Sequence, residues 1–132
     1  MPRPILAAAL LALTPAAVAA MGVDGVWKTA PRANGNFILV EIGPCANAPE
    51  ERCGVIVDAP PPSGRDNSLI GQRLIFGMQR ESETRWTGGR IRRPNGGGNY
   101  RSNLEVSGDV LSVEGCVAGG LICQSQEWTR VE

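Results

Sequence analysis

The four cysteines carry the most specific chemistry in this sequence. They fall in two local pairs, Cys45 with Cys53 and Cys116 with Cys123, with spacers of seven and six residues. On the chain-entropy model, closing such short loops stabilises a fold by roughly 2 to 3 kcal/mol for each bond. A four-thiolate zinc site is the rival interpretation, but its spacers are usually only about two to four residues long. The spacing therefore favours two local disulfides, and no metal site is expected.

Histidine is absent from the sequence. Its absence removes the commonest general base, the commonest zinc ligand and the usual activator of a serine or cysteine nucleophile. Catalysis would then have to rest on carboxylates or on Tyr100, and spacing alone brings no pair of these together. The sequence therefore favours a protein that is not an enzyme, with no catalytic residue and no cofactor.

Two aromatic residues and two Asx residues are candidates for contact with a ligand. Trp86 and Tyr100 lie on neighbouring predicted strands and could stand together at a cavity mouth, where rigid amphipathic rings suit small-molecule binding. Asp66 and Asn67 lie in a proline-rich loop that could reach over such an opening. Each pair has a structural alternative, which is cross-strand packing for the rings and hydrogen bonds within their own turn for the Asx side chains.

Arginine is concentrated between residues 80 and 101, a segment that contains six arginines and only two acidic residues. They are Arg80, Arg85, Arg90, Arg92, Arg93 and Arg101. Such a patch could hold an anionic ligand, an acidic partner or an anionic membrane surface, and Arg90 is our candidate ligand contact within it. Strand alternation sends these side chains to different faces, so a solvated surface is the preferred interpretation. The near-neutral overall charge argues against nucleic-acid binding.

Two stretches at opposite ends of the sequence indicate how the chain closes. Residues 24–29 carry Trp27, and residues 126–130 carry Trp128 and Arg130. A guanidinium over an indole face stabilises a fold by about 0.5 to 2 kcal/mol. We therefore predict that the first and last strands are adjacent and that Arg130 covers Trp27. Trp27, Trp128 and Arg130 are then structural residues that need no ligand to explain them.

Residues 1–20 are typical of a secretory signal. Arg3 gives a positive start, residues 5–13 are apolar, and residues 17–20 are small, as a cleavage site requires. The apolar run is too short to span a bilayer. Cleavage after Ala20 would remove one of 13 basic residues and leave a single domain over residues 21–132, with 13 acidic residues. We expect a periplasmic or secreted protein without a membrane span, in a compartment where disulfides persist.

Short apolar segments, separated by Gly, Pro and Asn, run through residues 21–132. Their β-branched residues and period-two alternation predict strands at residues 25–30, 36–42, 54–59, 73–79, 84–91, 99–106, 110–114 and 124–131. Residues 60–68 contain three prolines and are the longest predicted loop. Short reversals between about eight strands predict an up-and-down antiparallel meander, whose edges are removed if it closes into a barrel. An open sandwich is the alternative architecture within the all-β class.

Several motifs together resemble one family of proteins. Residues 40–45 (VEIGPC), 53–57 (CGVIV), 86–91 (WTGGRI) and 125–130 (SQEWTR) are similar to the domain-of-unknown-function 2147 family of exported bacterial proteins. The resemblance implies a small lipocalin-like (calycin-like) barrel. Gly25-Val26-Trp27 is similar to the Gly-x-Trp opening of lipocalins, with Arg130 in the place of their packing arginine. The family usually has Tyr and then an acidic residue or Asn before Pro94, where this chain has Arg92 and Arg93.

Two classes of function follow from this fold. The first is a binding protein, since an eight-stranded barrel has room for its own side chains or for one small apolar ligand. The second is a packed barrel that acts through its outer surface on an envelope partner, or on a second copy as a homodimer. The interior discriminates between them, because an apolar cavity of roughly a few hundred Å³ favours the first class and a filled interior favours the second.

Overall fold

A computed structural model describes residues 22–60, 68–94 and 97–132. This part of the chain forms eight β-strands. They are β1 (Gly25–Lys28), β2 (Leu39–Cys45), β3 (Ala48–Asp58), β4 (Arg73–Arg80), β5 (Arg85–Arg92), β6 (Asn99–Ser107), β7 (Val110–Val117) and β8 (Ile122–Arg130). One turn of 3-10 helix, Ala118–Gly120, connects β7 to β8. The predicted signal segment, residues 1–20, and the candidates Asp66 and Asn67 lie outside the described residues.

The strands form a closed antiparallel barrel. Each strand pairs with the next strand in the chain, and β8 pairs with β1 to complete the circle. Two residue pairs form this seam: Trp27 with Arg130, and Lys28 with Thr129. Val26 N–H extends it by donating to the carbonyl of Glu132 at 2.6 Å, and Val131 N–H donates to the carbonyl of Val26 at 2.8 Å. The predicted closed all-β barrel is confirmed, and the open sandwich is wrong.

Antiparallel pairing places the connections alternately at the two ends of the barrel. One end, which we call the rim, carries the connections that follow β1, β3, β5 and β7. The opposite end, which we call the base, carries the connections that follow β2, β4 and β6, as well as Gly22 and Glu132. The position of a residue along its strand therefore determines whether it lies near the rim or near the base.

The hairpin of β2 and β3 differs from the prediction, which ended one strand at Ile42 and began the next at Gly54. Both strands instead continue to a tight reversal at residues 46–47, with Gly43 opposite Cys53 and Pro44 opposite Arg52. Proline lacks an N–H and is tolerated in strands at bulges, and the register shifts directly after Pro44. Longer strands were missed here because Pro44 and the polar residues of β3 have the composition of a loop.

Buried side chains fill the barrel from its middle to its base. All three tryptophans are buried, and the most completely buried side chains include Val40, Ile42, Ile56, Ile75, Met78, Leu104 and Leu111. Gly89 lets β4 and β5 approach closely, because a Cβ at this position would clash with the Phe76 carbonyl and the Met78 sulfur. No helix in the described residues is long and apolar enough to cross a membrane.

A rim cavity as candidate binding site

Trp27 and Arg130 are in contact at the base. The guanidinium carbon of Arg130 lies 4.3 Å from the Trp27 ring centroid, and Trp27 is fully buried. Arg130 donates to the carbonyls of Gly22 at 2.7 Å and Asp24 at 2.9 Å, while the Trp27 indole N–H donates to the carbonyl of Val23 at 2.9 Å. These bonds hold the segment before β1 against the end of β8. The arrangement is that of a structural contact, since the hydrogen bonds that Arg130 and Trp27 donate all go to backbone carbonyls of the protein.

Two disulfides tie neighbouring strands, as predicted. Cys45–Cys53 joins β2 to β3 near the base, and Cys116–Cys123 joins β7 to β8 at the rim. The second pair stands directly opposite in the strand register. Because the two pairs lie at opposite ends of the barrel, they cannot combine in one four-thiolate zinc site.

A cavity of about 860 Å³ occupies the rim half of the barrel. Its apolar lining includes Ile38, Leu69, Leu74, Ile91, Val113 and Trp128. Its polar lining includes Thr29, Tyr100, Gln124 and Gln126, with Arg32, Arg92 and Arg93 as its charged residues. Trp128 belongs to the buried core and also lines the cavity, so it forms the floor. Its indole N–H donates to the side-chain oxygen of Gln126 at 2.7 Å, which leaves the ring face for apolar contact.

The cavity exists because the inward positions near the rim carry small or polar side chains. Gly115 on β7 contributes no side chain, and Gln124 and Gln126 on β8 point inward yet are exposed to the cavity. Ser102 is fully buried opposite two glycines, Gly89 and Gly115, and its hydroxyl has no hydrogen-bond partner in the described residues. Ser102 and the two glycines are small, so they fill little of the barrel interior at this level.

Trp86 and Tyr100 do not share one cavity mouth. Tyr100 lines the rim cavity opposite Ile91, and its hydroxyl donates to the carbonyl of Gly97 at 3.2 Å. Trp86 is opposite Leu104 near the base, where it lines a second, smaller space of about 540 Å³. Five positions of β5 separate Trp86 from Ile91, or roughly 15 Å along the strand. Neighbouring strands were predicted correctly, but adjacency of strands did not place the two rings at the same depth.

The predicted arginine cluster is divided between the two ends and the outer wall. Arg90 is exposed on the outer wall opposite Arg101 and does not line the rim cavity. Arg85 pairs with Glu105 at 3.4 Å near the base. Only Arg92 and Arg93 of the cluster border the cavity, at the rim end of β5 and just beyond it. The Arg92 guanidinium lies 5.7 Å from the ring centroid of Phe76, which is opposite Arg90 on the outer wall.

Sequence reasoning missed Arg32, Gln124 and Gln126 as cavity residues. The two glutamines share a strand face with Trp128, since alternate residues of a strand point to the same side. Placing Trp128 inward would have placed both glutamines inward, so the signal was present in β8. Arg32 lies in an irregular loop, where its amide donates to the carbonyl of Asn36 at 2.9 Å, and no periodic pattern indicates its position.

These observations define a lipocalin-like fold: a closed eight-stranded antiparallel barrel with a core of buried side chains towards its base and a cavity at its rim. Among solved structures, the fold is similar to protein HP1028 from the human pathogen Helicobacter pylori, which is described as belonging to the lipocalin family. The two share 11% sequence identity, with a TM-score of 0.67 over 85% of this chain and 84% of HP1028. At this identity the similarity is one of fold.

The chain belongs to the family described as an uncharacterized protein conserved in bacteria (DUF2147), whose model matches residues 25–130. The resemblance seen in the sequence motifs is therefore confirmed. No curated protein sequence is significantly similar to this chain.

Proposed function

We propose that this protein is an exported binding protein that holds one small, largely apolar ligand in the rim cavity. The cavity itself is the observation that carries this proposal. Its volume of about 860 Å³ falls within the range of small-molecule sites, and its wall combines apolar side chains with a comparable share of polar groups. The lipocalin-like fold supports the proposal, because such barrels have room for one ligand.

Export is part of the same proposal. Residues 1–20 have the composition of a cleaved secretory signal, and the two disulfides fit a periplasmic or secreted location. Periplasmic fractionation followed by mass determination of the mature chain would test this, with cleavage after Ala20 as the expected result.

Catalysis is not part of the proposal. Histidine is absent, all four cysteines are bonded in pairs, and no Asp or Glu lines the rim cavity within the described residues. An acid or base aimed at a ligand would therefore have to be supplied by Tyr100 or by residues beyond the described part.

A second candidate function rests on exposed apolar side chains at the rim, two of which, Val117 and Ile122, also line the rim cavity. Leu121 is 86% exposed and Ile122 is 60% exposed, beside the partly exposed Val117 and the Cys116–Cys123 disulfide. Exposed apolar side chains that cluster in this way suit contact with an envelope protein or a second copy of the chain. Sedimentation of the purified protein over a concentration series would show dimer formation, and Leu121→Ser should abolish it.

The cavity proposal is tested by filling the cavity without changing the barrel. Gly115 lines the cavity, and a Cβ there makes only ordinary contacts with Ile91 at 3.5 Å and Tyr100 at 3.8 Å. Gly115→Leu should therefore fold normally and lose binding of the neutral dye N-phenyl-1-naphthylamine. Gly43→Leu adds the same side chain where nothing lies within 4 Å, and it should bind the dye like the unmodified protein. Equal dye binding by both variants, or none by the unmodified protein, would contradict the proposal.

A further inference from the structure

Four arginines lie close together on the outer wall of the barrel, near the rim. Arg73 is the first residue of β4 and Arg92 is the last residue of β5, so both stand at the rim ends of their strands. Arg90 lies two residues deeper on the same face of β5, directly opposite Arg101 on β6. All four therefore lie within roughly 7 Å of the rim ends of three neighbouring strands. We call these four residues the arginine band.

Phe76 lies at the centre of the arginine band. It is half-buried on β4, opposite Arg90. The guanidinium carbons of Arg73 and Arg92 lie 5.5 Å and 5.7 Å from its ring centroid. Both distances are those of a cation–π contact, which restricts the motion of the two guanidinium groups. The ring therefore holds part of the band in a fixed arrangement on the barrel surface.

No carboxylate neutralises the arginine band within the described residues. Its cross-strand neighbours on the flanking strands are Val55 on β3 and Cys116 on β7. Glu114, two positions from Cys116, accepts a hydrogen bond from the side chain of Asn103 at 2.8 Å. The ion pairs of the described residues are made instead by Arg52, Arg85 and Arg130, towards the base. The band is therefore an uncompensated positive surface.

An exposed apolar tip adjoins the arginine band. Leu121, in the connection between β7 and β8, is 86% exposed, and Ile122 and Val117 beside it are also exposed. Arg101 links this tip to the band, because a Cβ built at Gly120 would lie only 3.4 Å from its Nη1 atom. The apolar side chains and the cations thus form one continuous surface on one side of the rim.

This combination suits the surface of an anionic lipid bilayer. A protruding apolar side chain can enter the boundary between headgroups and acyl chains, while guanidinium groups bind lipid phosphates. Three aliphatic side chains provide little of the area of a stable protein interface, which is roughly 1,600 Å². The charge at the other end of the barrel favours the same orientation. Glu81, Glu83 and Asp109 lie in the connections at the base, so an anionic surface attracts the rim and repels the base.

We propose that the side of the rim formed by the arginine band and Leu121 docks onto an anionic lipid bilayer. The proposal assigns Leu121 to lipid rather than to a protein partner, and it does not depend on what the cavity holds. Val117 and Ile122 belong to this surface and also line the rim cavity. Docking in this orientation therefore places part of the cavity wall next to the lipid.

Cosedimentation with vesicles tests the proposal. Vesicles of phosphatidylcholine alone are compared with vesicles that also contain phosphatidylglycerol. The full protein should bind the anionic vesicles at least tenfold more tightly, because each arginine near an anionic surface strengthens binding roughly fivefold. Raising the salt concentration should release the protein, since the charges of the band are mostly exposed.

Variants locate the docking surface. Arg90→Gln/Arg101→Gln should weaken binding to the anionic vesicles about tenfold or more. Arg80→Gln/Arg85→Gln removes the same charge near the base and should bind like the unmodified protein. Leu121→Ser should weaken binding severalfold, because it removes the apolar tip. Arg90, Arg101 and Leu121 are exposed, so circular dichroism should show folded variants with unchanged melting temperatures.

The outcomes separate this proposal from its alternatives. Equal binding to both kinds of vesicle, or binding to neither, would overturn it. Equal losses in the two double variants would also overturn it, because net charge rather than the band would then be responsible. Self-association that Leu121→Ser abolishes, without vesicle binding, would assign the surface to a second copy of the chain. Binding of the neutral dye reports on the cavity separately, so failure to bind vesicles leaves the proposed binding function intact.

Discussion

Arg130 connects three parts of the chain at the base through a single side chain. Its guanidinium covers Trp27, donates to two carbonyls before β1, and reaches the carbonyl of Gly108 in the connection between β6 and β7 at 3.3 Å. Only 12% of the side chain is exposed, so these bonds are poorly replaced by water. The residue therefore stabilises the base by ordering segments that are distant in sequence.

Arg130→Ala should destabilise the protein by about 2 kcal/mol, because it uncovers Trp27 and leaves two part-buried carbonyls, those of Gly22 and Asp24, without this donor. For a domain of this size, the melting temperature should fall by roughly 5 to 10 °C. Thermal unfolding followed by circular dichroism measures the change. Arg90→Ala is the control, since Arg90 is exposed on the barrel wall and should give no shift. An unchanged melting temperature in Arg130→Ala would show that the contact with Trp27 does not contribute to the free energy of unfolding.

At the scale of elements, the two disulfides stabilise neighbouring strands but serve different ends. Cys45–Cys53 fixes the hairpin of β2 and β3 near the base, away from the rim cavity. Cys116–Cys123 fixes the first residues of β8, where Ile122 and Gln124 line the cavity. The Cys116–Cys123 disulfide should therefore matter more for ligand binding than the Cys45–Cys53 disulfide.

Replacing either pair of cysteines by serine should cost about 2 to 3 kcal/mol in the free energy of unfolding, because the loops closed are similar in length. Cys116→Ser/Cys123→Ser should also weaken binding of the neutral dye by about threefold or more, since the cavity wall on β8 is released. Cys45→Ser/Cys53→Ser is the matched control and should bind the dye normally. A parallel loss of affinity in both variants would indicate that the rim disulfide has no special role in the site.

The strands were predictable where the pattern is local. The alternation of β6, with Ser102, Leu104 and Val106 inward, needs only the period of a half-buried strand. The hairpin of β2 and β3 was not predictable at full length, because pairing with a neighbour overrides the loop-like composition around Pro44. The register shift between Trp86 and Gly89 also depends on tertiary contacts, and it changes the depth at which β5 side chains lie.

The candidate site was predictable only in part. Tyr100, a candidate ligand contact from the sequence, lines the rim cavity, and the resemblance to lipocalins indicated a barrel with room for a ligand. The cavity itself depends on the absence of a side chain at Gly115, which lies opposite the small residue Ser102 on β6. Those two residues are 13 positions apart in the sequence, and nothing local indicates that they are neighbours.

At the scale of the whole molecule, closure of the barrel is the least extensive pairing in the sheet. The seam between β1 and β8 contains two residue pairs, whereas β6 and β7 share seven. β1 is also the shortest strand, with four residues. Local opening should therefore begin at the seam and leave β6 and β7 intact.

Native-state hydrogen exchange measures this difference directly. Backbone amides of β1 and the last residues of β8 should exchange faster than those of β6 and β7, because fewer hydrogen bonds must open. Binding of a cavity ligand should slow exchange at both places, through contact with Trp128 on β8 and Tyr100 on β6. Uniform protection around the barrel would show that the seam opens only with global unfolding.

The division of the barrel into a packed half and a hollow half has a consequence for evolvability. Residues such as Tyr100 and Gln124 line the cavity and lie outside the buried core, so exchanging them alters what fits inside without disturbing Trp27 or Met78. A lineage can therefore acquire new specificity by drift at one end while selection for folding acts at the other. For the same reason, combinatorial libraries restricted to these positions should yield mostly folded members, which makes the scaffold a starting point for engineered receptors.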